Sequence, residues 1–280
     1  MNFFRDSEIV RHPWTSLQEY SKQQREQWDC VFQESRCKSL TLSFSTKTEG
    51  PELSQKLDKH ADLLKATQTE LESISTLVVP SHLFILTDDE GMCLQLYASP
   101  QQLNDLKKHY ITPGTQFNMK NLGINAISIA MESGKIAVVQ GKEHSHTLFS
   151  SWSSISTPIQ VERKVLGYLA ISFDSAEDVI FAVPLLEKII CNIEEHLEWR
   201  DPIARKKRIN RKLEDFQLTN REKEVAYCWL EGQSRSKIAQ MLTISEETVR
   251  FHVKHIYEKV GVKHQVEFVK KVILSGVDKS

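Results

Sequence analysis

Between Glu246 and Val260 the chain reads EETVRFHVKHIYEKV, and two kinds of residue are interleaved there. Val249, Val253, Ile256 and Val260 fall 4, 3 and 4 residues apart, which predicts one buried stripe along a helix. The opposite side carries Thr248, Arg250, Phe251, Lys254, His255 and Lys259. That is an apolar face for packing and a basic face for something polyanionic, the pattern of a recognition helix in a helix-turn-helix. Arginine or lysine can donate to guanine O6 and N7, and an apolar side chain can meet a thymine methyl. Phe251 is the informative residue, because a large aromatic on the wet face of a helix has little reason to be there except contact.

Other chemistry is hard to find. The chain has no nucleophile elbow, P-loop, HExxH or paired-carboxylate motif, so no catalytic residue is assigned and an enzyme is not expected. His144 and His146 lie two apart with Glu143 beside them, but no further ligand motif accompanies them, and neither metal nor cofactor is expected. Cys30, Cys37, Cys93, Cys191 and Cys228 show no zinc or CxxC spacing. They read as small buried hydrophobes in a reducing cytosol, with a Cys30–Cys37 thiol switch conceivable but unsupported.

The elements that must position the basic helix lie around it. Thr219 can cap a helix that Glu222 completes as a capping box, with Val225, Trp229 and Leu230 on its apolar face and Gly232 at its end. Ser234 opens a second helix carrying Ile238, Ala239 and Leu242, and Ser245 caps the third after a tight TIS turn. GVKHQVEFVKKVILSG forms a fourth, with Val266, Val269, Val272 and Ile273 as its apolar side.

At the level of residues this segment is similar to the LuxR-type, four-helix DNA-binding domain of bacterial regulators. The shared features are the LTxRExEV opening, the glycine after the first helix, SxxxIA, and TVRxHVKxIxxKVGV. Gln265 stands where that family often carries arginine, and Arg235 where it often has asparagine. The resemblance implies that Arg250, Phe251 and Lys254 project into the major groove, with Thr248, Lys237 and Arg235 near phosphates. It also implies a homodimer, supported by the fourth helix, that places two recognition helices on a palindromic site in double-stranded DNA, with RNA polymerase as a further partner.

Upstream, residues 1–49 read as a polar, partly helical leader anchored by Trp14, Leu17, Trp28, Val31 and Phe32. A helix over 52–78 follows, then a hairpin with a DDEG bend, then QQLNDLKKHY as a short helix. NLGINAISIAMESG reads as a helix ended by Gly134, KIAVVQ as a strand, and SSWSSISTPIQ with KVLGYLAISFD as a hairpin across VERK. A last helix over 176–199 carries Val179, Val183, Leu186, Ile190, Ile193 and Leu197 at heptad spacing, with Pro184 inside the seam. The seam either packs on its own sheet or forms a two-helix dimer contact. The order of elements predicts an α+β domain, an antiparallel sheet flanked by helices.

PGTQF, GINAISIAMESGKIAVVQGKEH, W-x5-PI and VLGYLAIS resemble the GAF-type sensory domain at the front of enhancer-binding activators of the acetoin-regulator type. The matching residues are Gly123, Asn125, Ala126, Ile127, Glu143, His144, Pro158, Ile159 and Gly167, while Ile124 replaces that family's threonine. The resemblance covers roughly 50–198 and implies a small-molecule effector pocket. A pocket needs apolar lining and a few converging polar groups, for which Asn125, Glu143, His144, Trp152, Ser154 and Ser156 are the candidates. Asn125 reads equally as a helix cap, and Glu143–His144 as a fold-closing hydrogen-bond network.

Charge divides the chain the same way. From Arg200 onward there are 18 Lys+Arg against 11 Asp+Glu, a balance of +7, which leaves 18 against 26, or −8, for residues 1–199. An acidic front would discourage itself from lying on DNA. Pro202 is expected to break the helix before it and open a basic linker, RDPIARKKRINRKLEDFQ, either solvated or touching phosphate. The expected organisation is a leader at 1–49, a GAF-like α+β sensory domain at 50–198, a linker at 199–216 and an all-α LuxR-type helix-turn-helix domain at 217–280. The expected protein is a cytoplasmic transcriptional regulator without signal peptide or membrane span, governed by a small molecule or, alternatively, by a protein partner at its front domain.

Overall fold

The computed structural model describes residues 14–38, 47–74, 81–176 and 182–274. The chain divides into two compact units, 1–197 and 198–280. The elements of the first are β1 (Trp14–Ser16), α1 (Lys22–Lys38), α2 (Gly50–Lys59), α3 (Ala61–Ile74), β2 (His82–Asp88) and β3 (Cys93–Tyr97). They continue with α4 (Pro100–Lys108), α5 (Met119–Leu122), α6 (Ala126–Ser133), β4 (Ile136–Gln140), β5 (Trp152–Val161), β6 (Lys164–Asp174) and α7 (Ala182–Arg200), whose residues 198–200 fall in the second unit. The second unit holds α8 (Pro202–Glu214), α9 (Asn220–Leu230), α10 (Arg235–Leu242), α11 (Glu246–Val260) and α12 (Gln265–Leu274). No described helix is long and apolar enough to cross a membrane.

Among the described residues of the first unit, six strands form one sheet in the order β1-β4-β5-β6-β2-β3. The expected antiparallel sheet is instead mixed, because β1 adds to the edge in parallel, Trp14 opposite Ile136 and Ser16 opposite Val138. On one face Leu83, Ile85, Ala137, Val139 and Ala170 share a core with Ala126, Ile127, Ile129 and Ala130 of α6. On the other, Phe84, Leu86, Leu169, Ile171 and Phe173 are buried, and Leu63 of α3 lies against Gly167. Period-2 alternation thus fails to show in these strands because both faces are covered.

Pro158 is tolerated inside β5 because β4 pairs only with Ser153 to Ser156, so beyond that point β5 has an unpaired edge. At Gly167 the pairing of β5 with β6 shifts register between Ile159 and Gln160. A Cβ at Gly167 would lie 2.2 Å from the Thr87 carbonyl oxygen, so only glycine fits.

One sequence expectation changes here, the single helix over 52–78, and two readings left open, the packing of the leader and the seam of the last helix, are decided. The leader is not a separate segment: β1 pairs in the sheet, and Leu17 and Trp28 join its core. The helix expected over 52–78 is two, α2 and α3, interrupted at His60, and 75–78 lie outside the described residues. The heptad seam points inward: Val183, Leu186, Ile190, Ile193 and Leu197 are all buried within the single chain, while Val179 lies outside the described residues. Asn192 of α7 donates to Glu70 of α3 at 2.7 Å, and Glu194 accepts from the Gln160 N–H at 2.6 Å. A two-helix dimer through that seam is therefore excluded by its own packing. Pro184 causes no kink because it falls in the first turn of α7.

The second unit corrects the linker. Asp201 caps α8 by accepting from the Ile203 N–H at 2.8 Å, and Pro202 starts that helix rather than only ending the one before. Ile209 and Leu213 of α8 enter the same core as Val225, Ile238, Val249, Ile256, Phe268 and Val272. In α12, Phe268 and Val272 are the buried anchors, whereas Val266, expected on the apolar side, is exposed.

Candidate nucleic-acid interface and effector cavity

The expected caps of the second unit form as local chemistry requires. Thr219 Oγ1 accepts from the Glu222 N–H at 3.3 Å, and Glu222 returns to the Thr219 N–H at 2.8 Å. Ser234 Oγ accepts from the Lys237 N–H at 3.2 Å, and Ser245 Oγ from the Thr248 N–H at 3.0 Å. Thr243 takes the left-handed conformation between α10 and α11, with φ 55°. These turns orient α11, a rod of about 22 Å, with Val249, Val253, Ile256 and Val260 buried.

The remaining side of α11 is open. Arg250 and Lys254 are exposed, with only weak surface pairs to Glu247 at 3.6 Å and Glu258 at 3.9 Å. Phe251 is 56% exposed and rests on His255 one turn on, ring centroids 4.1 Å apart. Thr248 is half-buried, its hydroxyl 2.7 Å from that of Ser245. Lys237 and Arg235 are exposed on the first turn of α10.

Lys259 does not belong to the basic face: its ammonium lies 2.7 Å from the buried Glu222 carboxylate. Burial pushes the Glu222 carboxyl up, but the Lys259 ammonium and the donors of Thr219 outweigh it and leave it below its ordinary value. The basic run of α8 is likewise engaged within its own unit. Arg205 pairs with Glu231 at 2.8 Å, Arg208 with Glu198 at 2.7 Å, and Lys206 lies over the Tyr227 ring. The two departures from the LuxR-type pattern converge on one residue. Arg235 places its guanidinium over the Trp229 ring at 5.9 Å, and Gln265 donates to the Trp229 carbonyl at 3.0 Å.

In the first unit, three of the six effector candidates, Asn125, His144 and Ser154, line one cavity with Ser172. Its apolar walls are Ile85, Phe117, Ala126, Ile127, Phe149 and Ala170. The cavity itself is about 20 Å³, room for a water molecule or so, within about 270 Å³ of atom-free space that includes its mouth. Asn125 is fully spent as a clip. Its Oδ1 accepts from the Ile127 and Ser128 N–H groups, and its Nδ2 donates to the Phe117 and Gly123 carbonyls at 2.9 Å each. His144 Nδ1 is 2.9 Å from the Gly141 carbonyl, and burial lowers its pKa from the usual 6.5. Ser154 and Ser172 lie opposite one another on β5 and β6, hydroxyls 2.8 Å apart.

The other three candidates lie off the cavity. Glu143 accepts from the Gln140 N–H at 2.8 Å, Trp152 is half-buried against the core, and Ser156 is buried without a hydrogen-bond partner for its hydroxyl. Among the described residues, no group of three or more His, Cys, Asp or Glu could hold a metal ion. The leader helix braces one wall. Ser145 donates to Asp29 of α1 at 2.8 Å while accepting from the Ile124 N–H at 2.9 Å, and Phe32 crowds Gly123. Ser172 and Phe149 were not foreseen. Counting back from the VERK turn without the register shift sets Ser154 opposite Ile171, on the wrong face of the sheet.

Residues 216–272 match the family model described as bacterial regulatory proteins, luxR family. Over 61 residues the chain is 44% identical to the transcriptional activator protein SolR of Ralstonia solanacearum, covering 21% of this chain and 25% of SolR. Over 59 residues it is 37% identical to the spore germination protein GerE of Bacillus subtilis, covering 21% of this chain and 80% of GerE. The match thus spans about a quarter of SolR. Among solved structures, that of the Escherichia coli DhaR(N)–DhaL complex is similar at TM-score 0.55 and 19% identity, over 67% of this chain and 66% of that one. The second unit alone is too short to supply that share, so the likeness of fold takes in the first unit.

Proposed function

The chain belongs, through residues 216–272, to the luxR family of bacterial regulatory proteins, and we propose from this that it is a transcriptional regulator that reads DNA with α11. The observation that carries the reading is the division of α11 into a buried valine–isoleucine stripe and an exposed face of Arg250, Phe251 and Lys254. Arg250 and Lys254 donate to base edges, Phe251 meets a thymine methyl, and Thr248, Lys237 and Arg235 lie near phosphates. The protein acts in the cytoplasm as a homodimer, with RNA polymerase as a further partner, and without catalytic chemistry of its own. Its two recognition helices meet half-sites about 10 base pairs apart.

The first unit, in this proposal, is a GAF-like sensor whose effector enters the cavity beside Asn125, His144 and Ser154. Binding shifts α7 and thereby the spacing of the two DNA-binding domains, which requires the effector to prefer one arrangement over the other. Glu143, Trp152 and Ser156 are not among the residues that line the cavity. A second reading, control by a protein partner at the first unit, is favoured by the small volume of the cavity.

The direct test of the DNA reading is Arg250→Ala, measured by titration of full-length protein onto its operator. Affinity should fall by about 1–3 kcal/mol, with one base position per half-site relaxed. Unchanged affinity and base preference would remove α11 from the groove.

A further inference from the structure

The effector reading leaves open what kind of molecule the cavity accepts, and its lining narrows the choice. No lysine, arginine, aspartate or glutamate lines it. An ionised ligand would lose its hydration and gain no opposite charge, a cost that neutral molecules avoid. The polar capacity left is small and specific. Asn125 has none to offer, since both its oxygen and its amide are committed to backbone groups. The Gly141 carbonyl can only accept, so His144 Nδ1 carries the proton there and Nε2 is left as an acceptor. Of the paired Ser154 and Ser172 hydroxyls one donates to the other, which leaves one O–H able to donate elsewhere. Two residues along the same face of β5, Ser156 keeps a buried hydroxyl without a partner, opposite cavity-lining Ala170.

Resting on the proposal that this cavity is the effector site, we infer that it selects a small uncharged molecule, with one donor for His144 Nε2 and one acceptor oxygen for the Ser154–Ser172 pair. The closed cavity of about 20 Å³ holds about one water, so a ligand enters by widening it at its mouth, which favours the smallest molecules of this class. A short alcohol, diol or primary amide meets these donor and acceptor requirements without carrying charge. A carboxylate or an amine of the same skeleton does not, and the burial that keeps His144 neutral acts in the same direction.

Ligand-observed NMR on the full chain tests this with four probes of one carbon skeleton: a vicinal butanediol, butanamide, butanoate and butylamine. The diol or the amide should bind, with both ions at least about tenfold weaker. Ser154→Ala should weaken the bound probe by up to about tenfold, as expected for one neutral hydrogen bond. The comparison between probes needs no variant, so it stands even if a substitution unfolds the sheet. Equal or tighter binding of butanoate or butylamine, abolished by the cavity-filling Ala170→Val, would overturn the ligand class while leaving the effector site in place. Binding of none of the four, with operator affinity in the Ala170→Val protein unchanged and unresponsive to any of them, would overturn both.

Discussion

The proposed recognition chemistry rests on individual residues, and Phe251 is the sharpest test among them. Its ring is exposed and braced by His255, so it offers the proposed DNA contact a fixed apolar surface rather than a loose one. If it reads a thymine methyl, replacing that thymine by uracil should weaken binding by the wild-type protein. The same replacement should cost the Phe251→Ala variant nothing further, a comparison made by titration on paired oligonucleotides. Glu222 gives a prediction about acid stability. Its carboxyl titrates below the ordinary 4.5 when folded, so its contribution is present above that value and lost as pH falls through the lowered one. Urea unfolding across that acid range should show the loss in wild type and a flatter profile in Glu222→Gln. Such residues were legible because caps and stripes are local: Thr219, Ser234, Ser245 and Asn125 each cap a backbone N–H within three residues of their own position. Lys259 was not, because spacing alone cannot show that a buried carboxylate from another helix waits beside it.

At the scale of elements, register decides whether the cavity exists. The shift between Ile159 and Gln160 faces Gly167, and it is this one-residue offset that brings Ser154 opposite Ser172. Gly167→Ala would drive a Cβ into the Thr87 carbonyl, which as backbone cannot move cheaply. The substitution should cost about 1–3 kcal/mol in urea unfolding and should abolish probe binding in the cavity; wild-type stability would show that the strand yields. Five of the six described strands and the two hairpin turns followed from apolar runs and turn residues. What could not be read was long-range pairing. The three residues of β1 carry no strand signal of their own and gain their partner only from β4, far along the chain. In α8 the basic residues outnumber the apolar ones, so the few that bury, Ala204, Ile209 and Leu213, were hidden in what looked like a linker.

For the molecule as a whole, the two units have different grounds. The second is a luxR-family domain whose face is exposed as DNA reading requires, and its charge balance, Arg200 onward, is positive against an acidic front. The first has a fold like that of a chain in the Escherichia coli DhaR(N)–DhaL complex and a small, uncharged cavity braced by its leader. The α7 seam is filled within one chain, so the proposed dimer needs another surface, and Val266 is exposed on α12. The most direct measurement is selection of binding sites from random duplex DNA by the full-length protein, run in parallel with Arg250→Ala. The expected result is a palindromic motif with half-site centres about 10 base pairs apart, and the loss of preference at one position per half-site in the variant. No enriched motif, or the same motif from both proteins, would contradict a role for α11 in reading DNA.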